Sequence, residues 1–377
     1  MENNNSVCFV GKVTEIKPID GADNIELVVV NGWNCISKKG EYTVDDLAVI
    51  ATTDAVIPEA LSDAMQVTNY LRKGGRVRTV KLRGVYSECL IIPFAYAEKV
   101  THPKAKWADG TDMMDLLNIH KYEPPVKMVQ LAGGRKIKYK DNPNFHVYYK
   151  FPNFKNVPNL FNENDEVEIT RKIHGTNARY GIIKKTKPSL WDKVRKFFGN
   201  EWAEYEFIYG SHNVEKGSDS QGFYDTDVWR TIADRYDIKD RLWAHVKTFY
   251  SPGMIGTGFI IYGEIFGKGI QKNYEYGLDD IEFVGFDVEM NNKYLSVYRS
   301  DSELASLKLD YVELLYRGFW SQEVQDAFTF NQFIYNTKVP HEGIVIKEES
   351  GDRSKVAKVI NPDYHIYAEK KDVGDSH

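Results

Sequence analysis

Glu166-Val167-Glu168-Ile169-Thr170-Arg171-Lys172-Ile173-His174-Gly175-Thr176-Asn177 is the run that decides how the second half of this chain folds. Its opening residues alternate acidic with β-branched side chains, which predicts a half-exposed strand. That strand runs into Arg171-Lys172 and ends just before a glycine turn. A lysine in that place is held rigidly, and its amine can face a cleft. An ordinary lysine titrates at about 10.4, so roughly one in a thousand is uncharged at neutral pH. Burial or nearby positive charge lowers that value by several units and turns the amine into a nucleophile. Gly175 is expected to let the backbone approach a phosphate or ribose closely.

A lysine before a glycine turn gains weight from the residues downstream of it. Strand signals recur at 259–266 (FIIYGEIF), 281–290 (IEFVGFDVEM) and 342–349 (EGIVIKEE), all rich in Ile, Val, Phe and Tyr. They carry Glu264, Phe286-Asp287, and Glu342 with Lys347, and Lys358 comes next in KVAKVI at 355–360. Each stands in or at the end of a strand-like run, so side chains from several strands can converge on one pocket. Two stretches have helical spacing: Ser189 to Phe198, with Trp191, Val194, Phe197 and Phe198, and Thr226 to Phe249, with Trp229, Ile232, Tyr236 and Trp243. Both apolar stripes are expected to be core, and the basic face Lys193, Arg195 and Lys196 to be solvated. The mix predicts an α+β domain with antiparallel sheets and outer helices.

Upstream, from Val7 to about Pro93, short β-type runs alternate with turn signals: VCFVGKVTEI, IELVVV, the hairpin signal Asn31-Gly32, AVIATTDAVIP and VYSECLIIPF. Roughly five strands in so short a span have the texture of a small closed barrel of OB type. From Thr101 to Pro143 the signal weakens at His102-Pro103, Pro124-Pro125 and Gly133-Gly134, which reads as a linker with a basic end, Arg135 to Lys140. The expected organisation is an OB domain at 1–100, a linker at 101–142, a second domain at 143–365 and a tail at 366–377.

The chain has 377 residues, which makes two domains the natural expectation. Its 49 basic and 54 acidic residues give a net charge of -5, so no global positive field draws it onto a polyanion and any nucleic-acid contact must be local. Cys8, Cys35 and Cys89 are odd in number and lack CxxC spacing, against both a disulfide framework and a zinc site. No apolar run approaches the roughly 18 residues of a membrane span. A soluble cytoplasmic monomer without a membrane partner is expected.

Taken together and in this order, KIHGTN, Glu264, Phe286-Asp287, EGIVIK and Lys358 resemble the six-motif signature of the covalent nucleotidyltransferases, from about Val147 to Asn361. KxHGTN rather than KxDG resembles the RNA ligases, and an OB module before the first motif, with only 19 residues after Lys358, resembles a smaller branch of them. The resemblance implies an antiparallel ligase adenylation domain that takes ATP and Mg²⁺ or Mn²⁺ and seals RNA 3′-hydroxyl and 5′-phosphate ends. It implies Lys172 as the adenylated nucleophile, with Lys347 and Lys358 on the α-phosphate and Glu264, Asp287 and Glu342 as metal ligands. Phe286 would stack on adenine, Asn177 and a carboxylate would reach the ribose, and His174 would orient pyrophosphate or the metal-bound phosphates.

The sequence departs from that pattern in places. Ser211-His212-Asn213 stands where many relatives place an arginine near the serine, and Val359-Ile360 follow Lys358 where a lysine pair is common, so either Lys355 substitutes or one phosphate contact is missing. Lys184 to Glu206 reads as an insertion. Arg72, Lys73, Arg76, Arg78, Lys81 and Arg83 fall in a stretch without an acid, and Arg76 and Arg78 are expected to share a strand face that tracks RNA with Lys81 and Ser211. An edge strand guarded by charge is the alternative. Other readings of the whole chain are a degenerate ligase fold that only holds RNA, a DNA ligase, or a GTP-using capping enzyme.

Overall fold

The structure, a computed structural model, describes residues 6–72, 74–98, 107–122, 142–212, 215–218, 222–223, 227–350, 353–371 and 373. The chain divides into two compact units: Met1–Met128 with Pro152–Leu160 and Ile360–Lys370, and Val129–Phe151 with Phe161–Val359 and Lys371–His377.

In the first unit, β1 (Cys8–Pro18), β2 (Ile25–Val30), β3 (Trp33–Lys38), β4 (Leu47–Thr52) and β5 (Cys89–Ile92) lie in the order β3-β2-β1-β4-β5. Asn31 and Gly32 have φ of 46° and 82°, the mirror-image turn that right-twisted strands favour, and they set Val30 opposite Trp33. β1 pairs with both β2 and β4, and its register shifts between Val13 and Glu15. Such a bulge adds the bend that curls a sheet toward closure. The Glu88 amide donates to the Asn34 carbonyl at 2.7 Å, which nearly closes a five-stranded OB-type barrel. Cys8, Cys35 and Cys89 are free thiols buried inside it.

Part of the expected linker belongs to this barrel. Met113, Leu117 and Ile119 join its core, and the Val10 and Met113 amides donate to the Thr111 and Cys8 carbonyls at 2.9 Å each. The elements there, Met114–Leu117 and His120–Lys121, are too short to carry a period. The Pro124-Pro125, Gly133-Gly134 and Arg135 to Lys140 stretches lie outside the described residues. Instead of a tail from 366, a helix spans Pro362–Lys371.

The second unit holds β6 (Glu166–Lys172), β7 (Thr176–Lys184), β8 (Tyr205–Gly210), β9 (Glu215–Ser218), β10 (Gly222–Phe223), β11 (Gly258–Gly267), β12 (Ile281–Met290), β13 (Lys293–Tyr294), β14 (Leu314–Phe319), β15 (Gly343–Glu348) and β16 (Val356–Ile360). They form one sheet ordered β10-β9-β8-β7-β11-β12-β13 and another ordered β14-β6-β15-β16. Its helices include α1 (Leu190–Phe197), α2 (Val228–Arg235), α3 (Ile238–Phe249) and α4 (Val297–Ser306). Ile232, Leu242, Val246 and Leu304 from α2, α3 and α4 cover Tyr180, Phe207, Ile261 and Val288 on one face of the larger sheet. Ile183, Ile208 and Ile260 meet Phe145 and Tyr148 on the other.

Three expectations need correction. β6, paired on both edges with β14 and β15, is also buried on both faces, no residue from Val167 to Arg171 being more than 6% exposed. Its Glu168 is satisfied by the Tyr311 hydroxyl at 2.6 Å and by Arg317. The pattern starting at Thr226, which itself lies outside the described residues, is not one helix: the left-handed Asp237, φ 50°, separates α2 from α3. The apolar stripe of α1 faces solvent, not core.

Candidate active site

Antiparallel pairing sets Lys172, the last residue of β6, opposite Gly343, the first of β15. Glu342 therefore stands beside the lysine, and Lys172 Nζ donates to Glu342 Oε1 at 2.6 Å. After the turn, β7 pairs with β11 so that Asn177 lies opposite Glu264. A Cβ on Gly175 would meet the Ile265 carbonyl oxygen at 2.3 Å and Glu264 Cγ at 2.8 Å. The close approach that this glycine serves is thus to β11, where a phosphate or ribose was expected. His174 is buried, its Nδ1 3.7 Å from Glu342 Oε2 and its ring edge-on to Tyr274.

Two side chains that no sequence motif marks hold this turn, and a third anchors the segment before Glu342. Gln271 Nε2 donates to the Gly175 carbonyl at 2.5 Å, the Tyr276 hydroxyl accepts from the His174 amide at 2.7 Å, and the Tyr274 hydroxyl donates to the Pro340 carbonyl at 2.8 Å. They lie between β11 and β12 without strand or helix periodicity, so only two tyrosines in a polar stretch distinguish the segment.

The two carboxyls beside Lys172 are driven in opposite directions. Burial pushes Glu264 up to about 8, with the Glu342 charge adding to it and Lys172 only partly offsetting it. Burial would also raise Glu342, but the Lys172 ammonium and His174 override it and hold it at about 2. Glu342 Oε2 and Asn177 Oδ1 are buried and make no hydrogen bond. Buried oxygens of this kind are costly unless a partner arrives. Oxygen acceptors alone suit a hard cation or a hydroxyl donor.

Phe286, Asp287 and Lys347 form a different constellation. Asp287 is wholly buried and accepts from Arg353 Nη2 at 2.6 Å, Tyr148 OH at 2.9 Å, Ser300 Oγ at 3.3 Å and Lys347 Nζ at 3.4 Å. Burial opposes its charge, yet Lys347 and Arg353 hold it below the usual carboxylate range. In this arrangement its lone pairs are already taken, whereas a carboxylate open to a metal was expected. Among the described residues no group of three or more His, Cys, Asp or Glu is set to hold a metal. Lys347 Nζ also donates to the Phe286 carbonyl at 2.6 Å, and burial pushes its pKa down. Register puts Lys347 opposite Glu168, four residues from the Lys172–Gly343 pair, or about 13 Å along the strand. It does not stand with Lys172, contrary to expectation. Phe286 is half-buried with its ring 4.8 Å from that of Tyr148.

Lys358 lies in β16, partly exposed between buried Ala357 and Val359. Lys355, the candidate for the missing lysine, has its ammonium held by Asp165 at 2.8 Å and Glu348 at 3.3 Å. The Ser211 carbonyl accepts from Arg179 Nε at 2.9 Å. That arginine stands on β7, buried opposite Gly210, and does not belong to the Ser211-His212-Asn213 segment itself. His212 is half-buried, and Asn213 lies outside the described residues.

In the first unit the expected basic strand face does not form. Arg76 makes an isolated bridge to Val56, and strand structure begins only at Val80. Arg76 pairs with Asp54 and stacks on Tyr122, while Arg78 pairs with Glu369 and donates to the Tyr70 carbonyl. Lys81 donates to the Tyr86 hydroxyl at 2.8 Å and lies 3.8 Å from Asp363. Lys73 lies outside the described residues.

Known proteins share both the sequence pattern and the fold. A family profile described as RNA ligase matches residues 165–360, and one described as an OB-fold domain matches residues 7–94. No curated protein matches the sequence. Among solved structures, a ligand-free mutant of Naegleria gruberi RNA ligase is 23% identical with TM-score 0.71, over 97% of this chain and 98% of its own. Another mutant of that enzyme, solved with ATP and Mn, is 22% identical with TM-score 0.71 over 96% and 98%. The same enzyme with pyrophosphate is 22% identical with TM-score 0.70 over 98% and 99%.

Proposed function

Because this chain belongs to the RNA ligase family, we propose that it uses ATP to seal RNA 3′-hydroxyl and 5′-phosphate ends through an adenylate on Lys172. The observation that carries the reading is the Lys172–Glu342 contact of 2.6 Å beside two buried oxygens, Glu342 Oε2 and Asn177 Oδ1, that lack hydrogen bonds. The complex of the similar Naegleria enzyme with ATP and Mn supports ATP and a divalent cation as the ligands.

Three displacements at phosphorus succeed one another. Lys172 Nζ, its proton lost to solvent, bonds to the α-phosphorus of ATP as the bond to pyrophosphate breaks; the RNA 5′-phosphate then attacks that phosphorus as the bond to Lys172 breaks; and a 3′-hydroxyl, its proton lost to solvent, attacks the 5′-phosphorus and displaces AMP. Chemistry of this kind needs alignment and charge neutralisation more than acid or base groups. Glu342, held at about 2, is too weak a base to take the Lys172 proton. The amine is released when that carboxylate's charge is drawn elsewhere. A divalent cation held by Glu264 and Glu342 would supply this counter-charge and neutralise the phosphates.

Asn177 Oδ1 accepts a ribose hydroxyl, Phe286 stacks on adenine, and Lys358 meets the charge growing on the α-phosphate. His174 keeps Glu342 turned toward Lys172, while Lys347 and Asp287 act at a distance by fixing β12 to β15. RNA contact in the barrel unit falls to Lys81, with Arg76 and Arg78 engaged only if their acidic partners are displaced.

The test is transfer of label from α-labelled ATP or GTP to the protein, then sealing of nicked RNA and nicked DNA. Label from ATP alone and sealing of RNA ends is the expected result. Label from GTP would make this a capping-type enzyme, equal sealing of DNA a DNA ligase, and no label with either nucleotide an RNA-binding relic.

A further inference from the structure

Helix α1 is turned inside out. Ser189 caps it in a reciprocal box with Asp192, so the helix is locally well specified. Leu190, Trp191, Val194, Phe197 and Phe198 are 80%, 73%, 42%, 85% and 80% exposed. At about 100° per residue they fall in one continuous arc about 120° wide. The opposite, polar side faces the protein: buried Asp192 takes Lys185 Nζ at 3.0 Å, and Lys196 Nζ reaches Glu204 at 2.5 Å. A helix packed for stability does the reverse and hides its apolar arc. Two ion pairs here hold the apolar arc outward.

The charges bordering that arc say what covers it. Lys193 and Arg195 flank it on either side and are exposed, with Lys184 and Lys187 exposed just before the helix. From Lys184 to Glu204 there are six basic residues and three acids, and two of those acids are spent on Lys185 and Lys196. A second copy would set cationic borders against each other. Stacked bases would use Trp191 and the phenylalanines but not Leu190 and Val194, which complete the stripe with hydrocarbon. An apolar stripe of Trp, Phe and Leu bordered by Lys and Arg matches a bilayer surface with anionic headgroups.

We infer that α1 seats this protein on an anionic phospholipid surface, its apolar arc entering the headgroup boundary and Lys193 and Arg195 meeting lipid phosphates. The helix lies on the bilayer and does not cross it, and among the described residues no helix is long and apolar enough to span one. The expected lack of a membrane partner rested on spanning length alone. β7 leads from Asn177 to Lys184, about 25 Å, so the seat lies at the far end of that strand from Lys172.

The test is co-sedimentation of the full chain with phosphatidylcholine vesicles, with and without phosphatidylglycerol. Wild type should pellet with the anionic vesicles and stay in solution with the neutral ones. Replacing Trp191, Phe197 and Phe198 together by serine, or Lys193 and Arg195 together by glutamate, should each weaken binding by roughly tenfold or more. Unfolding midpoints equal to wild type show that these surface variants fold. Wild type left in solution with anionic vesicles overturns the inference, as does full binding by the charge-reversed variant. It is equally overturned if vesicles do not bind while the serine variant loses affinity for single-stranded RNA, or turns a wild-type dimer into a monomer.

Discussion

Two carboxylate–cation constellations in one unit have opposite fates. Around Asp287, one arginine, one lysine, a tyrosine and a serine fill every acceptor site of a wholly buried carboxylate. Around Glu342, a single lysine and a distant histidine leave one buried oxygen without a hydrogen bond, and neighbouring Glu264 is too poorly compensated to stay ionised at neutral pH. The saturated site rigidifies, and the unsaturated one is poised for a ligand. Composition alone does not tell them apart, because both are Asp or Glu beside Lys on adjacent strands.

The sharpest separation is by stability. Asp287→Asn leaves Lys347 and Arg353 buried without their counter-charge and is expected to cost roughly 3–5 kcal/mol in urea unfolding. Glu342→Gln should cost less, because it strands only one cation, Lys172, and that one is partly exposed, yet it should lower label transfer from ATP roughly 100-fold. Similar losses of stability in both variants would erase the distinction.

A smaller effect concerns pH. Glu264 has a folded pKa of about 8 against an ordinary 4.5, so the folded protein holds a proton that the unfolded chain releases. Its contribution to stability is fully present below 4.5 and is lost as pH rises through 8. Glu342, at about 2, contributes in the other direction: present above 4.5, lost as pH falls toward 2. Glu264→Gln should therefore flatten the ligand-free stability profile between those limits, by on the order of 2 kcal/mol after discounting for solvent. An unchanged profile would put Glu264 in water.

Much of the fold and the site was legible because strands and turns write locally. The Asn31-Gly32 hairpin, the barrel strands, and the convergence of Lys172, Glu264 and Glu342 arise from short runs whose ends meet by register. What was not legible depends on distant partners. Arg76 and Arg78 look free in the sequence, but their acids, Asp54 and Glu369, are 22 and 291 residues away. The period of α1 reveals an apolar arc but not which way it turns, because that is set by Lys185 and Glu204 outside the helix. β6 alternates like an exposed strand, but Arg317 and Tyr311 make the burial of Glu168 tolerable. Gln271, Tyr274 and Tyr276 sit in a stretch without a period and are found only through the backbone atoms they hold.

The most direct check is to digest the protein after reaction with ATP and magnesium and to locate the added AMP by mass spectrometry. One modified residue, Lys172, is expected in the wild type, and no adduct in Lys172→Ala. An adduct on Lys347 or Lys358 would contradict this assignment, because a cation in the saturated region or on β16 would then be the nucleophile, and the 2.6 Å contact with Glu342 would be only a salt bridge.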